Sequence, residues 1–374
     1  MPKSGLSMQE GTIVDWLVPE GHAIEQGDEI VEIETEKVNN SHEAPCAGLL
    51  RRRVAQSGQT VPVKGLIGVV APASVSDDEI DNFVTSFAAA FVPEAAEDKD
   101  IAPQTIEIAG RSINYLDTGG GDGLPLLLVH GICADLSSWM FNQPMLYCGR
   151  RVIALDLPGH GANSKDVGAG YVSFSADVID AFLEALEIPR AHIAGHSLGG
   201  AVAIAFTLNY PDRIASLGLI APAALAPEIN AQFLAELIGA EKRRGARVAL
   251  SKLVHEPNLV SRDMIKQFLR YKRTDGVAGA LAVIADAAFD GDRQRTVLTD
   301  RLGEIGVPII GIWGEQNQVI LPSQAANLPV GTALHRLDDA GHLAHMEKAI
   351  EVNALLATHA TESGANSPRR RRTA

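Results

Sequence analysis

The 374-residue chain is poor in cysteine, in positive charge and in long apolar runs. Three cysteines at irregular spacing favour free thiols in a reducing compartment over a disulfide framework. A net charge of −14 argues against a nucleic-acid or anionic-membrane partner. No apolar run approaches the ~18 residues of a membrane span, and no secretory leader pattern opens the sequence. These absences predict a cytoplasmic protein, and no metal-ligand set is expected.

Residues 1–72 contain an internal repeat with an offset of 37 positions. Gly11 aligns with Gly48 and Gly21 with Gly58, and the apolar positions between them also match. Short β-branched segments broken by glycine turns predict strands, and two similar halves predict a small all-β sandwich. Lys37 stands at the junction of the halves, so we expect it on an exposed turn. Since the second half begins at the position matching Met1, the opening strand is expected to be short or to start upstream.

Residues 73–102 change character. They hold eight acidic residues and one lysine, so this segment carries half of the net charge of the chain. The stretch DEIDNFVTSFAAAF predicts a short helix begun by its acidic residues. The remainder is typical of a flexible linker, with an end-to-end distance of about 30 Å for ~30 residues.

Residues 103–362 alternate apolar runs with helical patterns. The runs LPLLLVH, RVIALD, AHIAGH, LGLIAP and VPIIGIWG are typical of strands buried on both faces. The order predicts a doubly wound parallel α/β sheet. A mostly helical stretch at about 223–302 predicts a helical cap over that sheet. The basic end, residues 363–374, is predicted to be disordered.

The segment HIAGHSLGG places Ser197 in a G-x-S-x-G turn between a strand and a helix. That context suits a serine nucleophile, with the Leu198 amide facing a developing oxyanion. The segment LLLVHGICAD is expected to supply a second amide, that of Ile132, each worth ~3 kcal/mol in acyl transfer. His342, in DDAGHLAHME after the last strand, is the expected general base. His345 is its rival, although we expect an internal structural role for it.

Taken together, HGICAD, DLPGHGANS, GHSLGG and AGHLAHME resemble the α/β-hydrolase family in content and order. That resemblance implies a Ser-His-acid triad with its acid after the next-to-last core strand. There the chain reads WGEQNQVILP, with Asn317 where aspartate is expected. Loss of the carboxylate costs about 10⁴ in a serine triad. Glu315 lies two positions off, and Glu228, after an earlier strand, is the alternative acid; the sequence leaves the choice open.

Residues 1–72 resemble lipoyl domains. The segments VPEGHAIEQGDEIVEIETEKV and APCAGLL carry that resemblance, and Lys37 matches the lysine that bears lipoate in amide linkage. Biotin carriers usually have methionine on both sides of the lysine, whereas Glu36 and Val38 flank it here. The resemblance therefore implies lipoate on Lys37.

A lipoyl domain joined to an α/β-hydrolase resembles the dihydrolipoamide acetyltransferase components of acetoin dehydrogenase complexes. The resemblance implies transfer of acetyl from the lipoyl arm to coenzyme A. It also implies two partners, a thiamine-diphosphate acetoin dehydrogenase component and a dihydrolipoyl dehydrogenase, in a homo-oligomeric or multienzyme assembly. Ordinary 2-oxo acid acyltransferases carry an H-x-x-x-D-G motif, which this chain lacks. The alternatives are a lipoyl-tethered esterase or hydrolase of a small ester or ketone, and a catalytically weak scaffold.

Overall fold

The computed structural model describes residues 1, 10–25, 28–34, 39–44, 47–63, 65–91, 102–121, 123–147 and 150–365. The chain divides into two compact units, Met1–Ile101 and Ala102–Ala374. Among the described helices, none is long and apolar enough to cross a membrane. Cys133 is a free, buried thiol, whereas Cys46 and Cys148 lie outside the described residues.

Among the described residues of the N-terminal unit, seven strands form two sheets. They are β1 Glu10–Trp16, β2 Ala23–Ile24, β3 Glu29–Glu34, β4 Asn39–Glu43, β5 Gly48–Arg53, β6 Thr60–Pro62 and β7 Gly68–Ala71. The sheet orders are β4-β3-β1-β6 and β2-β5-β7. The inward side chains of both sheets, including Ile13, Ile33 and Leu50, form one apolar core.

The repeat found in the sequence is also a repeat of structure. An offset of 37 positions carries β1 onto β5, β2 onto β6 and β3 onto β7, so each half gives strands to both sheets. Gly21 and Gly58, matched by the same offset, have φ angles of 82° and 84°. This left-handed conformation suits glycine, which has no Cβ to clash. The expected two-fold sandwich is therefore present.

The described part of the acidic segment, residues 73–91, contains helix α1 Asp77–Ala90, as the sequence predicts. Residues 92–101 of the predicted linker lie outside the described residues. Ser76 and Glu79 form a reciprocal capping box at its start. Ile80 is buried, and Arg51 and Arg52 form ion pairs with Asp77 and Asp81. The helix therefore packs onto the second sheet of the N-terminal unit.

An eight-stranded sheet organises the C-terminal unit. Its strands are β8 Gln104–Ile108, β9 Arg111–Asp117, β10 Gly123–Val129, β11 Arg150–Leu155, β12 Ala191–His196, β13 Ile214–Ile220, β16 Ile309–Gly314 and β17 Ala333–Leu337. The order is β17-β16-β13-β12-β10-β11-β9-β8. The six strands from β17 to β11 run parallel. Five of them, β10, β11, β12, β13 and β16, coincide with the predicted apolar runs. The antiparallel β8–β9 hairpin extends the sheet at one edge.

Helices cover this sheet and form the expected cap. Those of the main fold are α2 Gln143–Leu146, α3 Val172–Ala185, α4 Leu198–Asn209, α9 Ala344–Glu347 and α10 Ala349–Ala365. Between β13 and β16 lie α5 Ala231–Ile238, α6 Arg243–Ser251, α7 Arg262–Lys272 and α8 Val277–Ala288, followed by the short hairpin β14 Phe289–Asp290 and β15 Arg293–Gln294. The candidate site residues follow the carboxyl ends of parallel strands, where open α/β sheets bind their ligands.

Candidate active site

Ser197 occupies a tight turn between β12 and α4. Its backbone has φ 53° and ψ −117°, a left-handed conformation rarely adopted by a residue with a side chain. Two glycines allow this turn. A Cβ on Gly199 would lie 2.2 Å from the Val129 carbonyl oxygen, and one on Gly195 would lie 2.3 Å from that of Gly199. The chain around Ser197 therefore has the expected strand–turn–helix geometry.

Two backbone amides are available beside Ser197. Leu198 is the first residue of α4, where N–H groups have no partner within the helix. Ile132 follows Gly131, on which a Cβ would lie 3.1 Å from the Cβ of Ser197. Both predicted oxyanion donors thus belong to segments that meet at the serine.

His130 fixes the peptide that carries the second amide. Its Nε2 accepts a hydrogen bond from the Leu157 amide (2.9 Å), so its Nδ1–H donates to the Gly131 carbonyl oxygen (2.8 Å). In a trans peptide the N–H points away from the C=O, and no cis bond is present in the described chain. A carbonyl held by His130 therefore turns the Ile132 N–H to the opposite side.

His342 lies in a loop after β17 that is held at several points. The Gly341 amide donates to the Glu347 carboxylate (2.9 Å), and the Leu343 amide donates to the Leu253 carbonyl (3.0 Å). The Nε2–H of His196 donates to the carbonyl oxygen of His342 itself (2.9 Å). The backbone position of the candidate base is therefore fixed by both the cap and the serine turn.

Three histidine rings are packed together beneath the serine turn. The ring of His196 lies 4.6 Å from that of His342 and 4.4 Å from that of His345. His345 also packs on Trp139, and neither of its ring nitrogens has a protein hydrogen-bond partner within the described residues. The expected structural role of His345 is thus one of ring packing; the internal hydrogen bond is made by its backbone carbonyl, which accepts from Asn142 (2.9 Å).

Burial keeps this cluster uncharged. It lowers the pKa of His196 to about 4. Burial, with a smaller effect of His196, also holds the pKa of His342 well below its ordinary value. His342 is therefore a neutral imidazole at neutral pH, and the position of its single ring proton decides what it can do.

Asn317 occupies the acid position. Its Nδ2 lies 3.1 Å from Nδ1 of His342, and its side chain is buried. Glu315, expected to point elsewhere, forms an ion pair with Arg336. Glu228, the alternative acid, has an exposed side chain, and its described hydrogen bonds are made by its backbone. Of the candidates for the acid position, the structure thus brings only Asn317 to the ring of His342.

A small apolar cavity adjoins Ser197. Its volume is about 30 Å³, the room of about two water molecules, and Ile132, Leu198 and Val319 are among its lining residues. Gln294 contributes one of its few polar groups. A cavity of this size suits a short acyl group rather than a long chain.

Comparisons with known proteins agree with this architecture. A family model described as alpha/beta hydrolase fold matches residues 125–349, and one described as biotin-requiring enzyme matches residues 1–70. The dihydrolipoyllysine-residue acetyltransferase component of the acetoin cleaving system of Pseudomonas putida is 43% identical, covering 94% of this chain and 95% of its own. Its counterpart from Cupriavidus necator is 40% identical over 96% of both chains. The chain belongs to this family of acetyltransferase components.

A solved structure shows the same fold in the second unit. The meta-cleavage product hydrolase from Pseudomonas fluorescens superposes with a TM-score of 0.63 at 25% identity, covering 70% of this chain and 98% of that one. The acetyltransferase component thus consists of a lipoyl-type domain followed by a unit with a hydrolase fold.

Lys37 of this acetyltransferase component lies outside the described residues, as do residues 35, 36 and 38. The strands on either side are described: β3 and β4 pair in antiparallel register up to Glu34 and Asn39. Lys37 therefore belongs to the four-residue connection between two paired strands. A lysine so placed fits the attachment of a swinging prosthetic group such as lipoate.

Three positioning residues of the candidate site were not predicted from the sequence. They are His130, His196 and Glu347, which act on the backbone of Gly131, His342 and Gly341 respectively. The motifs HG, GHS and HLAHME contained them. Their partners are backbone atoms distant in sequence, however, and no residue pattern predicts such bonds.

Proposed function

We propose that the serine site of this chain passes an acetyl group from a thioester on lipoyl-Lys37 to coenzyme A. The observation that carries the proposal is the joint presence of a lipoyl-type domain and a serine turn beside a cavity of about 30 Å³. A short acyl thioester fits both features. The relatives named as acetyltransferase components of acetoin-cleaving systems support the same reaction.

Lipoate on Lys37 would supply a dithiol that carries the acetyl group as a thioester. Within the serine site, the amides of Leu198 and Ile132 are placed to stabilise the oxyanion that forms when this thioester is attacked. Ser197 and His342 are the side chains proposed to act at the reacting carbonyl. The largely apolar lining of the cavity suits the methyl group of an acetyl thioester.

The proposal extends to partners. An acetyl group on the arm requires an enzyme that cleaves acetoin and loads the arm, for which a thiamine-diphosphate component is suited. A reduced arm requires a dihydrolipoyl dehydrogenase for reoxidation. We place this chain with both in a multienzyme assembly, which the words "component of acetoin cleaving system" in the names of its relatives support. We further propose that this assembly is cytoplasmic.

A hydrolase that uses water is the second candidate, because the C-terminal unit has the fold of a solved hydrolase. The deciding experiment loads the reduced arm of the full chain with labelled acetyl and adds either coenzyme A or buffer alone. We expect label in acetyl coenzyme A, with little free acetate. Rapid release of acetate, unaffected by coenzyme A, would make the chain a hydrolase, and a stable label under both conditions would make it a scaffold.

A further inference from the structure

The amide of Asn317 is held in one orientation. Its Oδ1 accepts hydrogen bonds from the backbone amides of Val319 (3.0 Å) and Ile320 (3.1 Å). Turning the amide over would place its NH₂ group against two N–H donors, with loss of both bonds. The NH₂ group of Asn317 therefore faces Nδ1 of His342, at 3.1 Å.

This orientation decides the tautomer of His342. An NH₂ group only donates, so Nδ1 of His342 must be the acceptor, and the ring proton resides on Nε2. An aspartate at the same position would accept from the two amides with its oxygens and also from an Nδ1–H. Asparagine thus reverses the tautomer that a triad acid would impose, and it leaves Nε2 without the lone pair that a base needs.

Acyl acceptors differ in how much they depend on such a base. A serine hydroxyl or a water molecule is a weak nucleophile until a base removes its proton. A thiol with a pKa of ~8.5 is a few per cent thiolate at pH 7 without help. A site with His342 protonated on Nε2 therefore disables attack by Ser197 and by water far more than attack by a thiol.

We propose that Asn317 makes this site selective for thiol acceptors, with acetyl passing directly from the donor thioester to an acceptor thiolate. This inference rests on the proposed function and specifies its chemistry. Ser197 then acts as a hydrogen-bonding group at the reacting carbonyl and is not itself acetylated. Asn317 is a positioning residue, because it acts through His342.

The transfer balances without any further reactant. The acceptor thiol loses its proton to solvent, and its sulfur forms a bond to the carbonyl carbon while the C=O electron pair moves onto oxygen. The Leu198 and Ile132 amides stabilise this oxyanion. Collapse restores the C=O bond and breaks the bond to the donor sulfur, which leaves as a thiolate and takes a proton from solvent.

The test compares the full-length chain with Asn317→Asp, using free acetyl-dihydrolipoamide as donor. Three rates are measured: transfer to coenzyme A, hydrolysis, and labelling of Ser197 by a fluorophosphonate. Asn230→Asp is the matched control. Asn230 also accepts a backbone N–H and donates to the Gln318 carbonyl, so this change adds the same charge to a neighbouring loop without touching His342.

For Asn317→Asp we expect hydrolysis and labelling to rise by about 10² to 10⁴, while thiol transfer changes by less than about tenfold. Asn230→Asp should change none of the three. Unchanged hydrolysis and labelling in folded Asn317→Asp would overturn the inference. Failure of the wild type to transfer acetyl to coenzyme A would instead overturn the proposed function.

The tautomer gives a second measurement that needs no variant. In ¹⁵N-histidine-labelled wild type, the proton of His342 should reside on Nε2, as read from the ring nitrogen shifts. Assignment is by comparison with His342→Gln. A proton on Nδ1 in the wild type would contradict the inference even if Asn317→Asp fails to fold.

Discussion

The two units of the chain hold their functional residues in opposite ways. In the N-terminal unit, Lys37 belongs to the connection between β3 and β4, and Glu34 at the end of β3 is exposed. In the C-terminal unit, Ser197, Asn317 and His342 are 6%, 2% and 3% exposed. A residue that delivers a group must reach out, whereas groups that act on a thioester must be fixed and shielded from water. The difference fits the proposal that the first unit delivers the acetyl group and the second unit carries out the reaction.

Replacing Lys37 should abolish delivery by the lipoyl arm without affecting the reaction at the serine site. Lys37→Ala from a lipoate-replete host should show no lipoyl adduct by intact mass, and Lys64→Ala should retain it. Transfer from the arm should be lost, while transfer from free acetyl-dihydrolipoamide continues, since the serine site belongs to the other unit. The free donor should need mM concentrations to match the tethered one. An adduct that persists in Lys37→Ala would place the lipoate elsewhere.

Ser197→Ala should leave folding intact and reduce the reaction. Labelling by the fluorophosphonate should vanish, and thiol transfer should fall by about 10² to 10³, the effect of removing one oxyanion donor. The melting temperature should not change, because the Ser197 side chain does not cap α4. A fall near 10⁶ would indicate an acetylated serine instead. Undiminished transfer would remove Ser197 from the site.

Much of the fold of both units can be predicted from the sequence. The central parallel strands β12, β13 and β16 are buried on both faces and consist of continuous apolar runs, so their pattern is distinct. The lipoyl-type sandwich is predictable from the sequence repeat. Gly21 and Gly58 recur at equivalent positions because both adopt the same left-handed turn. The edge hairpin β8–β9 lacks a continuous apolar run, and the sequence does not predict it.

The candidate site was only partly predictable. The positions of Ser197, His342 and Asn317 follow from local motifs. The orientation of the Asn317 amide does not, because it depends on which backbone N–H groups turn inward at Val319 and Ile320. The choice between Asn317 and Glu228 is likewise not predictable from the sequence. It depends on the exposure of each side chain and on its distance from the ring of His342.

The pH dependence of thiol transfer should distinguish this site from one with a titrating base. Because burial holds the pKa of His342 well below its ordinary value, the ring stays neutral at neutral and alkaline pH. The wild-type rate should follow the acceptor thiolate, rising about tenfold per pH unit until the pKa of the acceptor thiol is reached. Rates across pH 6 to 9 test this. A plateau from pH 7 would show that a protein group, and not the acceptor, sets the rate.

Gly314→Ala should shift the backbone that holds His342, and it should lower the rate of transfer by less than Ser197→Ala does. A Cβ on Gly314 would lie 2.3 Å from the carbonyl oxygens of Ala340 and Gly341, so the backbone before His342 has to move. A shift near 1 Å costs up to about 10² in rate. Gly303→Ala is the matched control, since its Cβ would meet nothing within 4 Å. Equal rates in the two variants, measured with the free donor, would show that the loop tolerates the shift.

The smallest effects on acetyl transfer are expected from changes where α1 packs on the second sheet of the N-terminal unit. Ile80 is 3% exposed, so Ile80→Ala should lower the free energy of unfolding of that unit by about 2 to 5 kcal/mol. The Arg52–Asp81 pair is 2.6 Å apart, but its side chains are 35% and 62% exposed, so Asp81→Asn should cost at most about 1 kcal/mol. Hydrogen exchange of the Leu50 and Val70 amides measures both. Transfer from the free donor should be unaffected in either variant, because α1 lies in the other unit. If Ile80→Ala leaves the exchange of both amides unchanged, α1 is only loosely attached and belongs to the linker.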